Sequence, residues 1–301
     1  QELEPSTLRV LSLRMDYLPP STQPIKVLAN KNLAYISRYA LGRDYHKLVR
    51  KRLAQLAKLI DAEIEASPEL KAAYPNFTAR AFTDSAPVME KALAQQAGLG
   101  WQAKNCLLLN PKVGSWHFLG ELFINLPLPL DKPFTKNHCG TCTAWHQACP
   151  TGAFVGDSLL DANKCISYLT IEYKGSIPLE LRPQIGNRVF GCDDCQLVCP
   201  WNKFAPSTQE TDFYPRHGLE NTSLLELFNL SEAEFTQLTL GSPLKRISYE
   251  QWLRNLALGL GNAPFSPAIQ AALQANQHPS PLVKEQITWA INQQLLAKAA
   301  N

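Results

Sequence analysis

Seven of the chain's eight cysteines fall between Cys139 and Cys199, and they are spaced for chemistry rather than for packing. One block reads Cys139-Gly-Thr-Cys142-Thr-Ala-Trp145-His-Gln-Ala-Cys149-Pro150, and the other Cys192-Asp-Asp-Cys195-Gln-Leu-Val-Cys199-Pro200. Cys165 stands between them, and Cys106 stands alone. A disulfide framework of this density belongs to short secreted domains. This chain has 301 residues, and its start has no charged stretch ahead of an apolar run, which argues against a signal peptide. Paired Cys-x-x-Cys spacings in such a chain point to metal or redox chemistry. The first residue is Gln1 rather than methionine, which points to a partial chain.

The bacterial ferredoxin run is Cys-x2-Cys-x2-Cys-x3-Cys-Pro, and its last cysteine ligates the other cluster of a two-cluster pair. The first block fits this run except at Trp145, which stands where the third cysteine belongs. The second keeps the opening pair and the closing Cys-Pro. Zinc also uses Cys-x-x-Cys pairs and is the alternative. The two Cys-Pro endings and the interleaved count favour iron–sulfur. The ferredoxin crossover then gives one cluster Cys149, Cys165, Cys192 and Cys195, and the other Cys139, Cys142 and Cys199. Indole is a donor only, so Trp145 leaves the second cluster one ligand short. Its fourth iron is either lost, held by His138 or His146, or bound to water or a small thiol; the missing ligand favours loss.

The rest of the chain is expected to be α+β. Strands are expected over residues 7–17, 79–83, 107–109 and 116–125. A helix opens at Asp44, with Val49, Leu53, Leu56, Ile60 and Ile64 on one face and Lys47, Arg50, Lys51, Arg52 and Lys58 on the other. A second helix is expected over 87–97, opened by Pro87 and closed by Gly98. Residues 126–133 are proline-rich and read as a boundary. Beyond Pro215 the pattern turns helical, over 224–230, 232–240, 247–260, 266–275 and 282–299. Such short helices suggest HEAT-type pairing, with a plain helical tail packed on the core as the alternative. Three domains result: a mixed α/β domain over 1–130, a ferredoxin-like two-cluster module over 131–210 and a helical HEAT-like region over 211–301. The net charge is only +3, so nucleic-acid binding would need a local basic patch. Lys245, Arg246 and Arg254 in the helical region are candidates, as are Arg182 and Arg188 near the cysteines. No run of about 18 apolar residues occurs, which excludes a membrane-spanning helix.

Several stretches together resemble the epoxyqueuosine reductase family. They are SRYALGRDYHKL at 37–48, DSAP at 84–87, GLGWQAKNCLLL at 98–109, CGTC and ACPTGA in the first cysteine block, KCISYLTIE at 164–172 and GNRVFGCDDCQLVCPWN at 186–202. The resemblance covers nearly the whole chain. Family members carry a further N-terminal segment, which would make this chain N-terminally incomplete.

The resemblance implies reduction of epoxyqueuosine to queuosine at the wobble position of a tRNA anticodon. It further implies a cobalamin over the first domain and two 4Fe–4S clusters that relay electrons from an external donor, in a cytoplasmic monomer. Asp84 would be the general acid, against a plain N-cap role. Arg38, Tyr39, Tyr45, His46 and Lys104 would lie near the cobalamin, with Arg43 and Asp44 in the same polar stretch and Asp44 as a helix cap. Cys106 is expected to pack as a small hydrophobe beside residues 107–109. Two other functions compete: a two-cluster ferredoxin-type electron carrier, and a cobalamin-dependent reductase of small molecules like the reductive dehalogenases, which share the cofactor layout. A ferredoxin would not need Asp84, the 37–48 stretch or the helical region.

Overall fold

A computed structural model of the chain describes residues 3–20, 22–84 and 86–300. The chain forms two compact units, each assembled from three separate segments. One holds Gln1–Leu18, Asp44–Cys142 and Cys199–Thr208; the other holds Pro19–Arg43, Thr143–Val198 and Gln209–Asn301.

The first unit is built on a three-stranded antiparallel sheet with His117–Ile124 in the centre, Arg9–Asp16 on one side and Ala79–Phe82 on the other. The central strand is buried along nearly its whole length, as a strand covered on both faces must be. Its even-numbered residues face the Tyr45–Ala66 helix. Tyr45 stacks on Phe118 with ring centroids 3.9 Å apart. A side chain at Gly120 would meet Val49 and Leu53 of that helix at 2.8 and 2.9 Å, so glycine lets the helix lie directly on the sheet. Asp44 caps this helix by accepting the His46 N–H at 3.0 Å, as expected. On the opposite face, Glu121 is fully buried. Its cross-strand partners are Ser12 and Phe82. The Glu90–Gln96 helix covers this side and contacts the Arg9–Asp16 and His117–Ile124 strands. It starts at Glu90, not at Pro87 as the sequence suggests, because residues 86–89 remain in a turn. Trp101–Gln102 and Leu108–Leu109 form a separate hairpin. Cys106 sits in its half-exposed turn with φ +66°, so it does not pack as a core residue.

The second unit is mainly helical. Its longest buried element is the Tyr249–Asn262 helix, whose Trp252, Leu253, Leu256, Ala257 and Leu260 pack with Val283, Ile287 and Ala290 of the Pro281–Ala299 helix in one core. Side chains at Gly259 and Gly261 would strike Leu224 at 2.7 Å and Trp289 at 2.5 Å, so these glycines permit the close approach. Capping boxes Ser231/Glu234 and Ser248/Gln251 fix two of the helix starts. A short parallel pairing joins Tyr35–Ile36 to Arg188–Phe190. No helix among the described residues is long and apolar enough to cross a membrane.

Candidate active site and metal centres

Asp84 follows the Ala79–Phe82 strand with φ +51°, a left-handed conformation that non-glycine residues adopt at a cost. Thr83 beside it is buried and donates its hydroxyl to Leu119 O at 2.7 Å, which anchors the turn to the central strand. The Asp84 side chain is 56% exposed. Its Oδ2 accepts the Tyr45 hydroxyl and lies 3.4 Å from His46 Nε2. His46 Nδ1 lies 2.8 Å from Asp44 Oδ1. The imidazole is thus held between two carboxylates, with Tyr45 stacked on it at 4.0 Å. The hydrogen bond to Asp84 raises the His46 pKa, and partial burial opposes it. Asp84 is not a helix cap, because the next helix begins six residues later with Met89 at its N-cap. Its backbone N–H donates instead to Glu90 Oε1 at 2.5 Å.

Tyr45, His46 and Asp84, which the sequence singles out separately, meet in the structure, and Lys104 lies on the 103–107 turn of the neighbouring hairpin in the same unit. Arg38 and Tyr39 belong to the other unit. Glu90 and Glu121 were not among the sequence candidates. The signal for Glu121 is a single acidic residue inside the apolar run of 116–125.

The seven clustered cysteines divide between the two units, with Cys139, Cys142 and Cys199 in the first and Cys149, Cys165, Cys192 and Cys195 in the second. None is disulfide-bonded. Burial, followed by the nearby thiols of Cys139 and Cys142, raises the Cys199 pKa. Burial raises Cys195 far more, with Asp193, Cys165, Asp194 and Cys149 adding to it. Crowded buried thiols resist ionisation until a cation compensates them, and iron–sulfur clusters supply that cation. Among the described residues no three Cys, His, Asp or Glu side chains converge as a single-ion site would require. The donor set, thiolate alone, fits iron–sulfur clusters.

The surroundings suit that role. Trp101 Nε1–H donates to Cys139 Sγ at 3.3 Å, and Ala153 N–H donates to Cys149 Sγ at 3.3 Å. Trp101, Phe134 and Trp201 form an apolar shell with Cys139 and Cys199, and His138 packs edge-on to Trp101 at 5.1 Å. Such N–H donors and apolar shells tune cluster potential. Asp193, between two of the cysteines, is fully buried and accepts from Tyr35 Oη at 2.8 Å, Ser37 Oγ at 2.5 Å and Arg38 N at 2.9 Å. Sequence reasoning missed this brace. Trp145 is buried, with its ring edge-on to Phe154 at 4.8 Å, so it serves as a core residue of the second unit.

Among the basic candidates, Lys245 and Arg246 are exposed at the end of a single 3₁₀ turn, and Arg246 pairs with Glu172 at 2.6 Å. The other three need correction. Arg254 is 0% exposed and is spent on backbone carbonyls, so no phosphate reaches it. Arg182 is 1% exposed and pairs with Glu285, and Arg188 forms a two-pronged pair with Asp194.

Residues 1–85 match the family described as "Epoxyqueuosine reductase QueG, DUF1730", and residues 138–202 match the "4Fe-4S double cluster binding domain". The epoxyqueuosine reductase of Pseudomonas aeruginosa is 62% identical over 291 residues, covering 96% of this chain and 78% of that one. The chain belongs to the epoxyqueuosine reductase family. It is an oxidoreductase with an iron–sulfur domain. The Escherichia coli epoxyqueuosine reductase is 50% identical over 98% of this chain and 75% of its own length. A crystal structure of epoxyqueuosine reductase with an epoxyqueuosine-modified tRNA stem loop superposes with a TM-score of 0.84 at 28% identity, covering 97% of this chain and 75% of that one. A Bacillus subtilis epoxyqueuosine reductase, described with an aspartate catalytic loop swung out of its active site, superposes with a TM-score of 0.81 at 28% identity, with the same coverage.

Proposed function

We propose that this chain reduces epoxyqueuosine in tRNA to queuosine, with Asp84 giving a proton to the epoxide oxygen. The observation that carries the reading is the half-exposed Asp84 carboxylate, bracketed by the Tyr45 hydroxyl and the His46 imidazole. The aspartate catalytic loop of the Bacillus subtilis relative supports it.

The reaction consumes two electrons and two protons and releases the epoxide oxygen as water. An alkoxide leaves poorly, so the oxygen must be protonated as its bonds to carbon break. Asp84 faces solvent and delivers the first proton. His46, with its pKa raised, is the reservoir: Asp44 holds Nδ1, and Nε2 points at Asp84 Oδ2 to return a proton. Tyr45 holds the carboxylate oriented by donating to the same oxygen.

Cys149, Cys165, Cys192 and Cys195 hold one 4Fe–4S cluster, and Cys139, Cys142 and Cys199 give three thiolates to the other. Within the first unit, Tyr45, His46 and Lys104 offer hydroxyl, imidazole and cationic donors of the kinds that the amide and phosphate groups of cobalamin accept. When bound, cobalamin supplies low-valent cobalt, a reductant strong enough for a strained epoxide. Residues 1–130 serve catalysis and the cobalamin, 131–210 the ferredoxin-like clusters, and 211–301 form a HEAT-like region in which Lys245 and Arg246 meet tRNA phosphates. The enzyme works as a cytoplasmic monomer fed by an external electron donor.

The test uses the anaerobic, cluster- and cobalamin-loaded protein with an epoxyqueuosine-containing tRNA stem loop, and counts product nucleoside. Asp84→Asn is expected to keep iron content and the cobalamin spectrum and to lose about 10²–10⁴-fold in rate. Turnover at the parent rate would remove Asp84 from the role.

A further inference from the structure

Behind Asp84, two carboxyl groups lie in contact. Glu90, at the start of its helix, accepts the Asp84 N–H at 2.5 Å. Its carboxyl also meets that of Glu121, which rises from the central strand and is 0% exposed. Ser12 Oγ donates to Glu121 Oε1 at 3.3 Å, but among the described residues no donor reaches the buried Oε2. Two ionised carboxylates in that position would repel, and Oε2 would be left unsatisfied. A proton on Glu121, donated to Glu90, removes both problems. It also leaves Glu90 ionised and able to accept the Asp84 N–H.

We propose that Glu121 and Glu90 are positioning residues that share one proton and so hold the Asp84 backbone in its left-handed, working conformation. The inference rests on the reading of Asp84 as the acid. Burial first, and Glu90 second, push the Glu121 pKa up to about 8, so the proton is retained at neutral pH. Burial raises the Glu90 pKa too, and its bonds from Asp84 and Glu121 oppose that rise. The other groups facing the pair are Ser12 on the Arg9–Asp16 strand, Phe82 opposite on the Ala79–Phe82 strand, and the charges of Asp84 and His46 acting on Glu90. When Glu121 ionises, the two carboxylates repel and the hold on the Asp84 N–H loosens.

The experiment measures single-turnover rates of the loaded enzyme on the tRNA stem loop from pH 6 to 9.5, with hydrogen exchange at the Asp84 amide and the infrared carbonyl band of a protonated carboxyl. The parent is expected to slow about tenfold above pH 8 while the Asp84 amide exchanges faster. Glu121→Gln keeps a donor toward Glu90 at every pH. It should stay within about twofold of the parent at pH 7, keep the Asp84 amide protected up to pH 9.5 and lose the infrared band, while the part of the alkaline decline that His46 causes remains. Glu121→Leu removes the donor and should be about tenfold slow throughout. Asp84 amide protection that falls with pH in Glu121→Gln as it does in the parent, or that does not respond to pH in the parent, overturns the proposal. Failure of the underlying reading looks different: Asp84→Asn would keep the parent rate while the infrared band and the Asp84 amide protection behaved as described.

Discussion

Replacing Arg254 by leucine separates a structural arginine from a tRNA-binding one. Its guanidinium donates to Tyr173 O at 2.7 Å, Gly175 O at 2.8 Å and Leu169 O at 2.8 Å, and to Asn255 Oδ1 at 3.0 and 2.9 Å. These carbonyls lie at and just beyond the C-terminal end of the Ile166–Ile171 helix, where the dipole favours a cation. Burial lowers the Arg254 pKa to about 10, which still leaves the group charged at neutral pH. Leucine strands the Gly175 and Leu169 carbonyls and one amide oxygen, while Tyr173 O keeps the Gln251 Nε2 donor at 3.3 Å. At ~1–3 kcal/mol for each buried acceptor left unpaired, the gross loss is about 3 kcal/mol at the low end. That is a large part of the ~5–15 kcal/mol that holds a typical protein together. The assay is urea unfolding of the cluster-loaded protein followed by far-ultraviolet circular dichroism, whose helical signal comes mostly from the second unit. With a slope near ~3 kcal/mol per molar, the midpoint should fall by about 1 M or more. Arg254→Lys keeps the charge but not the fork, and should fall between leucine and the parent. An unchanged midpoint in Arg254→Leu, with weakened tRNA binding, would refute the argument and put Arg254 on a recognition surface.

Global stability should decrease as pH rises toward 8, because Glu121 keeps in the folded state a proton that the unfolded chain gives up near its ordinary pKa. The contribution is whole below that ordinary value and lost as pH climbs through about 8, with a limiting slope of ~1.4 kcal/mol per pH unit; Glu121→Gln should flatten the slope, and denaturant midpoints across pH check this. Trp145→Cys, which the ferredoxin spacing recommends as a repair of the second cluster, is expected to cost about 3 kcal/mol or more by emptying the space beside Phe154. Iron per chain, measured beside the thermal midpoint, separates ligation from packing. Joint replacement of Lys245 and Arg246 by alanine should lower the slope of log affinity for tRNA against log salt by about 1–2, since each exposed cation can release one counterion, and filter binding across a salt series reads it directly.

Much of the fold can be read from local rules. Asp44 before an amphipathic run, and Ser231 and Ser248 each followed three residues later by Glu or Gln, mark helix starts because they satisfy orphan N–H groups within one turn. The family motifs single out Tyr45, His46 and Asp84, but their meeting is not legible in the sequence, since Tyr45 and Asp84 are 39 residues apart and no periodicity joins them. The basic residues misled for a related reason. Arg254 and Arg182 look like solvated charges in one dimension, yet each reaches carbonyls or a carboxylate from distant segments. Pro87 misled because a proline can open a helix but does not require one.

Buried ionisable groups recur where the chain must hold a shape that apolar packing alone does not dictate. Asp193 has no apolar contact to gain, yet three donors from the 35–38 segment converge on it, which ties that segment to the loop bearing Cys192 and Cys195. Arg254, with Gln251 one turn before it, closes the carbonyl end of the helix that begins immediately after Cys165. Glu121 stands behind Glu90, and Glu90 behind the strained Asp84. In each case a hydrophobic residue of equal size could fill the volume but could not fix a backbone turn, because dispersion is nondirectional and a charge-assisted hydrogen bond is not. A cysteine that must meet iron and an aspartate that must meet an epoxide both depend on backbone direction. That is why the costly buried polar groups sit one step behind the reactive groups, and why removing them should disturb chemistry and stability together.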